Sequence, residues 1–337
     1  MNSISTLVIG AGNWGTAFSL LLDSKQSKVS LWTRNPKIRK QIQNSRMNQE
    51  YLPGSLIPES VNLVTCIKKA IPQHELFVIA LPSHAIREFL TEHKKLFPAN
   101  ALFLNLAKGM ENPGGLRLSE IFAEIMGANE NWATLSGPNL ASEIASGLPA
   151  VAVIASKSHA LAMKLQAFIS SDSFRVYTNP DLIGVEICGA LKNVIAIGAG
   201  ICQGLGLGNN AVSALITRGI AEITRFGLRE GADPLTFMGL AGLGDLTVTC
   251  MSTSSRNHTL GFLMGRGKSL NEALLTTRMV AEGVNTCRTV VQVAHERQIY
   301  MPIAEGVAKV LFEGLSPKMV VQDLMAGSLK SEKVDFC

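Results

Sequence analysis

The chain has 337 residues, 47% hydrophobic and 17% charged, which at about 100 to 200 residues per domain is room for two domains and too apolar for a disordered polymer. No uninterrupted apolar run reaches the roughly 18 residues of a bilayer span. The net charge of +5, from 31 basic and 26 acidic residues, is spread along the chain, so small anionic ligands are expected, while nucleic acid and stable membrane insertion are not.

In chain order, the first half alternates short β-branched runs with helical patterns, the signature of a parallel sheet covered by helices. Strands are predicted at 5–9, 28–32, 76–80, 101–106, 133–135 and 150–155, with helices between them, for example at 15–23 and 116–125. Leu7-Val8-Ile9 runs straight into a glycine turn with no basic segment and apolar plug before it, so no signal peptide is read. Near residues 171–180 the pattern changes: a strand-like piece at 174–177 precedes Asn179-Pro180, and helix-compatible sequence follows. The expected fold is therefore α/β, a doubly wound N-terminal sheet over 1–179 followed by an all-helical C-terminal domain over 180–337. The helix expected at 183–194 is apolar on every face, which predicts burial all round, whereas 211–226 and 284–298 look amphipathic and peripheral. Cys66, Cys188, Cys202, Cys250, Cys287 and Cys337 show no CxxC pair, which predicts reduced thiols and a cytoplasmic protein.

Gly10-Ala11-Gly12-Asn13-Trp14-Gly15 completes the GxGxxG pattern between a predicted strand and an apolar helix. In a Rossmann-type domain the first glycine permits the tight turn, the second lets a pyrophosphate approach the backbone, and the third allows helix and strand to pack closely. The backbone amides of Asn13 and Trp14 are expected to line the dinucleotide. The acid that would meet an adenosine ribose at the end of the second strand is missing, since that strand runs Leu31-Trp32-Thr33-Arg34. Arg34 either pairs with the 2′-phosphate of NADP or decorates an exposed loop. The first reading favours NADPH over NADH.

Three further clusters could carry chemistry. Lys108-Gly109 and Ser136-Gly137-Pro138-Asn139 follow predicted strands, where ligands of such sheets bind, although Lys108 could equally be a solvated loop lysine. Lys192 lies among small and apolar neighbours from Cys188 to Ile195. Burial there would lower its pKa and suit it to give a proton to a carbonyl oxygen, unless its stem snorkels to water. Asp245 and Thr249 are four apart and could share a helix face, and Ser255-Arg256-Asn257 offers donors for a phosphate or else forms a polar capping loop. The six histidines show no metal-ligand spacing, and no metal is expected.

Taken together, Gly10 to Gly15, Lys108-Gly109, Ser136-Gly137-Pro138-Asn139-Leu140-Ala141, Gly189-Ala190-Leu191-Lys192-Asn193-Val194-Ile195-Ala196-Ile197-Gly198 and the stretch from Gly242 to Asn257 resemble bacterial NAD(P)-dependent glycerol-3-phosphate dehydrogenases. The resemblance runs from about residue 5 to about residue 325. It implies cofactor contacts from Asn13, Trp14, Arg34, Lys108, Ala141, Arg256, Val280 and Glu282. It implies substrate contacts from Lys108, Gly137, Asn139, Lys192, Asp245, Ser255, Arg256 and Asn257. Lys192 would exchange the proton and Asp245 would hold it, in the interconversion of dihydroxyacetone phosphate and sn-glycerol 3-phosphate that supplies glycerophospholipid synthesis. Asn139 stands where the family often carries Ser or Thr. A homodimer is left open, and the tail 328–337 lies outside the resemblance. The rival readings are a reductase of another small oxo acid, since fold alone does not choose a substrate, and a non-catalytic nicotinamide-sensing module.

Overall fold

A computed structural model describes residues 4–25, 27–127, 130–277 and 281–326. The chain divides into two compact units, Met1–Ala107 with Leu118–Leu182 and Lys108–Arg117 with Ile183–Cys337. The expected single cut at 179/180 thus misses an excursion: Lys108–Arg117, which follows a strand of the first unit, belongs to the second. There the Arg117 guanidinium stands 3.5 Å from buried Glu186.

The first unit is built on an eight-stranded sheet. Its strands are β1 (Thr6–Ile9), β2 (Val29–Trp32), β5 (Asn62–Val64), β6 (Leu76–Ile79), β7 (Leu102–Asn105), β8 (Trp132–Ser136), β9 (Ala150–Ala155) and β10 (Phe174–Asn179), while β3 (Met47–Asn48) and β4 (Leu52–Leu56) pair separately. The order is β10-β9-β8-β7-β6-β1-β2-β5. Central strands such as β1 and β6 are buried at every residue, which is why they read as unbroken apolar runs. The order reverses at β1, whose neighbours are β2 and β6, and the carboxyl ends of the strands at such a switch are where ligands bind.

Two details depart from the sequence reading. β9 runs antiparallel to β8, because the stretch joining them holds only a five-residue helix, Ala141–Ala145, in place of a full crossover. The strands β3, β4 and β5 were not expected. They are two, five and three residues long, too short to show periodicity, and Pro53-Gly54 interrupts β4.

Among the described residues, the second unit is helical apart from an isolated bridge between Met110 and Arg117. Its long helix, Leu182–Gly204, runs ten residues past the expected 183–194, and 94% of its most apolar window is buried inside the protein. It therefore serves as the core of its unit. The helix Arg256–Gly265 packs on it backbone to backbone: a Cβ on Gly200 or Gly204 would overlap the carbonyls of His258 or Phe262, and one on Gly261 would overlap that of Ile197. The helices Gly208–Arg229 and Glu282–Glu296 correspond to the expected amphipathic segments, and both carry a buried stripe.

One buried carboxylate anchors the start of a helix in this unit. Glu222, 3% exposed, accepts hydrogen bonds from the Ile303 and Ala304 N–H groups (2.7 and 3.2 Å) at the start of the helix Pro302–Phe312. Burial raises its pKa to about 7, against the two backbone donors and Arg225, with Glu305 adding to the rise. Between the ordinary carboxylate range and about 7 the folded chain keeps a proton that the unfolded chain has released, so stability falls as pH rises through this window. The full effect is at most about 3 kcal/mol. Glu222→Gln keeps an acceptor oxygen but cannot titrate, so its melting temperature should change less between pH 5 and 7 than that of the parent. Parallel melting curves across that range would show that Glu222 does not carry the dependence.

Candidate active site

In the first unit, β1 ends in the glycine turn and the helix Asn13–Asp23 begins directly after it, with Gly12 at its N-cap. Gly10 has φ +116°, and a Cβ there would overlap the Ala80 carbonyl at the end of β6; a Cβ on Gly15 would overlap the Gly10 carbonyl. These two glycines let helix and sheet meet. Gly12 differs, because a Cβ on it would meet nothing within 4 Å. Space is thus left at the position where a pyrophosphate approaches the backbone, beside the unpaired N–H groups of the helix's first turn. The side-chain Oδ1 of Asn13 is buried with no protein donor. Trp14 packs edge-on against Phe18 at 5.5 Å. A dinucleotide fits this cradle.

Arg34 follows β2 and is mostly exposed, its Nη1 3.5 Å from the equally exposed Glu88. A surface pair of that kind holds the guanidinium weakly. Gly137 follows β8 with φ +138°, and a Cβ on it would lie 3.0 Å from the Val151 carbonyl. Asn139 donates from Nδ2 to that same carbonyl at 3.0 Å, and its buried Oδ1 has no protein donor. Ala141 opens the helix Ala141–Ala145.

In the second unit, Lys192 sits mid-helix between buried Leu191 and Val194 and is 7% exposed, so its stem does not snorkel to water. Its Nζ donates to Asp245 Oδ1 at 2.5 Å and to Thr249 Oγ1 at 2.8 Å. Lys108 donates to the other carboxylate oxygen, Oδ2, also at 2.5 Å. Asp245 follows a π-helical turn, Leu240–Gly244, in which the Gly244 N–H reaches back to the Gly239 carbonyl (3.2 Å), and opens the helix Asp245–Met251. Thr249, one turn on, donates to the Asp245 backbone carbonyl at 2.6 Å and so points its oxygen at Lys192.

Burial lowers the Lys192 pKa to about 8, helped by the like charge of Lys108 and opposed by Asp245. For Asp245, burial works upward, but the ammonium groups of Lys108 and Lys192 outweigh it and hold the carboxyl below its usual range. Burial pushes the neighbouring Cys250 thiol up to about 12, which keeps it uncharged. The cluster can therefore donate a proton near neutral pH and accept one in mild alkali.

Ser255 caps the helix Arg256–Gly265, its Oγ accepting from the His258 N–H at 3.3 Å. Asn257 is buried and its Oδ1 accepts from the Gly283 N–H at 3.0 Å, next to Glu282 at the start of the helix Glu282–Glu296. Arg256 itself is exposed. Val280 lies outside the described residues. The structure thus gathers Lys108, Lys192, Asp245 and Thr249 into one network, and sets Ser255, Arg256 and Asn257 in one turn. Sequence reasoning did not find the bond from Lys192 to Thr249 or the shared carboxylate of the two lysines. The signals for them were the four-residue spacing of Asp245 and Thr249 and the resemblance's pairing of Asp245 with Lys192.

Two family models match the chain, that of the N-terminus of NAD-dependent glycerol-3-phosphate dehydrogenase over residues 5–162 and that of its C-terminus over residues 181–322. A glycerol-3-phosphate dehydrogenase [NAD(P)+] of Pelotomaculum thermopropionicum is 45% identical over 320 residues, 94% of this chain and 92% of the relative. One of Streptomyces avermitilis is 43% identical over 98% of each chain. The crystal structure of a glycerol-3-phosphate dehydrogenase from Coxiella burnetii is similar with a TM-score of 0.93 at 36% identity, covering 96% of this chain and 99% of that one.

The glycine turn separates folding from binding in a way that can be measured. Gly15→Ala forces a Cβ into the Gly10 carbonyl and should cost several degrees of melting temperature, on the scale of about 1 to 3 kcal/mol for overpacking. Gly12→Ala has room in the protein alone, so it should melt within about 2 °C of the parent while losing most of its affinity for NADH and NADPH. Unchanged affinity in Gly12→Ala would show that no pyrophosphate lies against this turn.

Proposed function

Because the chain belongs to the NAD-dependent glycerol-3-phosphate dehydrogenase family, we propose that the buried cluster of Lys108, Lys192, Asp245 and Thr249 is its proton-transfer centre. The chain is an NAD(P)-dependent oxidoreductase interconverting dihydroxyacetone phosphate and sn-glycerol 3-phosphate. Gly10, Gly12, Asn13, Trp14 and Gly15 would hold the dinucleotide in the first unit, with Arg34 and Ala141. The family likeness also assigns cofactor contacts to Lys108, Arg256, Glu282 and Val280. When bound, the dinucleotide supplies hydride to the C2 carbonyl carbon of the substrate. As the carbonyl oxygen gains charge, the Lys192 ammonium gives it a proton; in the reverse direction the neutral amine takes the hydroxyl proton away. Asp245 and Thr249 fix Nζ from two sides, so the donor has little freedom to lose on reaching the transition state.

Lys108 beside Asp245 leaves the fully ionised cluster one positive charge in excess, which favours a phosphorylated substrate and opposes its own full protonation. Ser255, Arg256 and Asn257 would grip the phosphate, and the family likeness also assigns substrate contacts to Gly137 and to Asn139, whose Oδ1 accepts from no protein donor. Binding energy from the phosphate, remote from the reacting carbon, then positions that carbon. The single observation that carries the assignment is a lysine shared between a buried carboxylate and a threonine, with its pKa lowered to about 8. The product is a backbone precursor of glycerophospholipids. The described cysteines, all free thiols, support a reducing compartment, and we read the reaction as cytoplasmic.

Two tests follow from these roles. Lys192→Ala should lower kcat by about 100-fold or more, as expected for a lost general acid, while the dissociation constants for NADH and NADPH stay within about threefold. A loss of less than about tenfold, under 1.4 kcal/mol, would remove Lys192 from the chemical step. In the parent protein, reduction of dihydroxyacetone phosphate should decline as pH rises through about 8 and oxidation of glycerol 3-phosphate should rise through the same point. A limb elsewhere, or the same slope in both directions, would assign the titration to another group.

A third test concerns cofactor choice. The parent should use NADPH at least as well as NADH, and Arg34→Asp should shift the ratio towards NADH by about tenfold or more, the worth of a charge-assisted hydrogen bond to phosphate. A parent strongly selective for NADH, unaffected by the substitution, would leave Arg34 as surface decoration.

A further inference from the structure

Asn48, in the β3–β4 hairpin, reaches the glycine turn of the first unit. It is fully buried, and its Nδ2 donates two hydrogen bonds of 2.9 Å, one to the backbone carbonyl of Ala11 and one to Oγ1 of Thr16. Its Oδ1 accepts from the Tyr51 N–H at 3.3 Å. The orientation of the amide follows from chemistry: a backbone carbonyl only accepts, so nitrogen must face Ala11, and the Tyr51 N–H only donates, so oxygen must face it. Thr16 is itself fully buried and belongs to the first turn of the helix Asn13–Asp23, where its N–H reaches the Gly12 carbonyl at 3.0 Å.

The contact to Ala11 acts on a peptide plane. Ala11 and Gly12 are joined by a trans bond, whose carbonyl and N–H point in opposite directions. Drawing the Ala11 oxygen inward to Asn48 therefore turns the Gly12 N–H outward, and Gly12 is the residue of this turn on which a Cβ would find open space. A glycine at this position has no side chain to fix that plane, and without an anchor the peptide could rotate at little steric cost. Asn48 supplies the anchor from outside the motif. It also ties the plane to Thr16, so turn and helix are held as one body.

We propose that Asn48 is a positioning residue for the dinucleotide, holding the Ala11–Gly12 peptide so that its N–H is aimed at the pyrophosphate before the ligand arrives. This rests on the reading of the glycine turn as the dinucleotide site. The pyrophosphate is common to NADH and NADPH, so both should depend on Asn48 alike, unlike the effect expected of Arg34. The chemical step, built in the second unit from Lys192 and Asp245, should not.

The test is Asn48→Asp, which keeps the size and the acceptor but replaces both donor hydrogens, measured by fluorescence titration of NADH and NADPH and by steady-state kinetics. The dissociation constants of both dinucleotides should rise by about tenfold, in step, as for a lost ligand-orienting bond. At saturating dinucleotide, kcat and the KM for dihydroxyacetone phosphate should stay within about threefold. Should Asn48→Asp fail to fold, Asn48→Ala removes the donors without setting a charge against a carbonyl and is read by the same criteria. Unchanged dinucleotide affinity, a loss of kcat without a loss of affinity, or failure of both variants to fold would each overturn the proposal, the last by making Asn48 a purely structural residue. A parent protein that bound neither dinucleotide would instead overturn the reading of the turn.

Discussion

A carboxylate taken out of water must be repaid in kind, and in this chain the arrangement of the second unit turns on Asp245, 1% exposed. Moving such an ion into the interior costs several kcal/mol even after relaxation. The cost is met by two ammonium groups, one on each oxygen, and each of those is itself nearly buried. Burial works against the charge of Lys192, and Asp245 works to keep it. The three residues come from three separate stretches, Lys108–Arg117, the long helix Leu182–Gly204 and the helix opened by Asp245, so their mutual need also ties those stretches together.

That arrangement tunes the chemistry as well as the fold. A lysine alone in an apolar helix would lose its proton below neutrality, and one paired singly with a carboxylate would hold it tightly. With two lysines on one carboxylate, burial and like charge pull the Lys192 pKa down and Asp245 pulls it up, leaving it at about 8. A proton at that level can be given or taken under physiological conditions. Thr249 adds direction without adding charge, since its own hydrogen is committed to the Asp245 backbone carbonyl.

Glycines do the rest of the positioning, by letting backbone meet backbone. Gly200, Gly204 and Gly261 bring the helix Arg256–Gly265 against the lysine helix, which sets the turn of Ser255, Arg256 and Asn257 by rigid packing instead of by a flexible loop. The Gly283 N–H bonded to Asn257 extends the same scaffold to the helix of Glu282. In the first unit, Gly10 and Gly15 do likewise for β1, β6 and the helix after them. Sites carried on such contacts tolerate little drift, as catalytic geometry requires.

What was legible in the sequence was whatever has a local cause. Seven strands of the main sheet, the glycine turn and the buried long helix could be read: burial on both faces writes apolar runs into most of the strands, the edge strand β10 alternates buried and exposed residues, and a tight strand-to-helix turn demands glycine. Lys192 stood out for the same reason, as a charge among apolar neighbours. The family likeness was equally present in the motifs. What the tertiary structure alone decided were the partners of buried polar groups: Lys108 with Asp245, Thr249 with Lys192, Asn48 with Ala11 and Glu222 with the N-terminus of a helix some 80 positions away. It also decided that Lys108–Arg117 belongs to the second unit and that β9 turns back against β8. The physical reason is that apolar burial depends on a residue's own chemistry and its period along the chain, whereas a buried charge or amide depends on which distant donor or acceptor folding delivers to it.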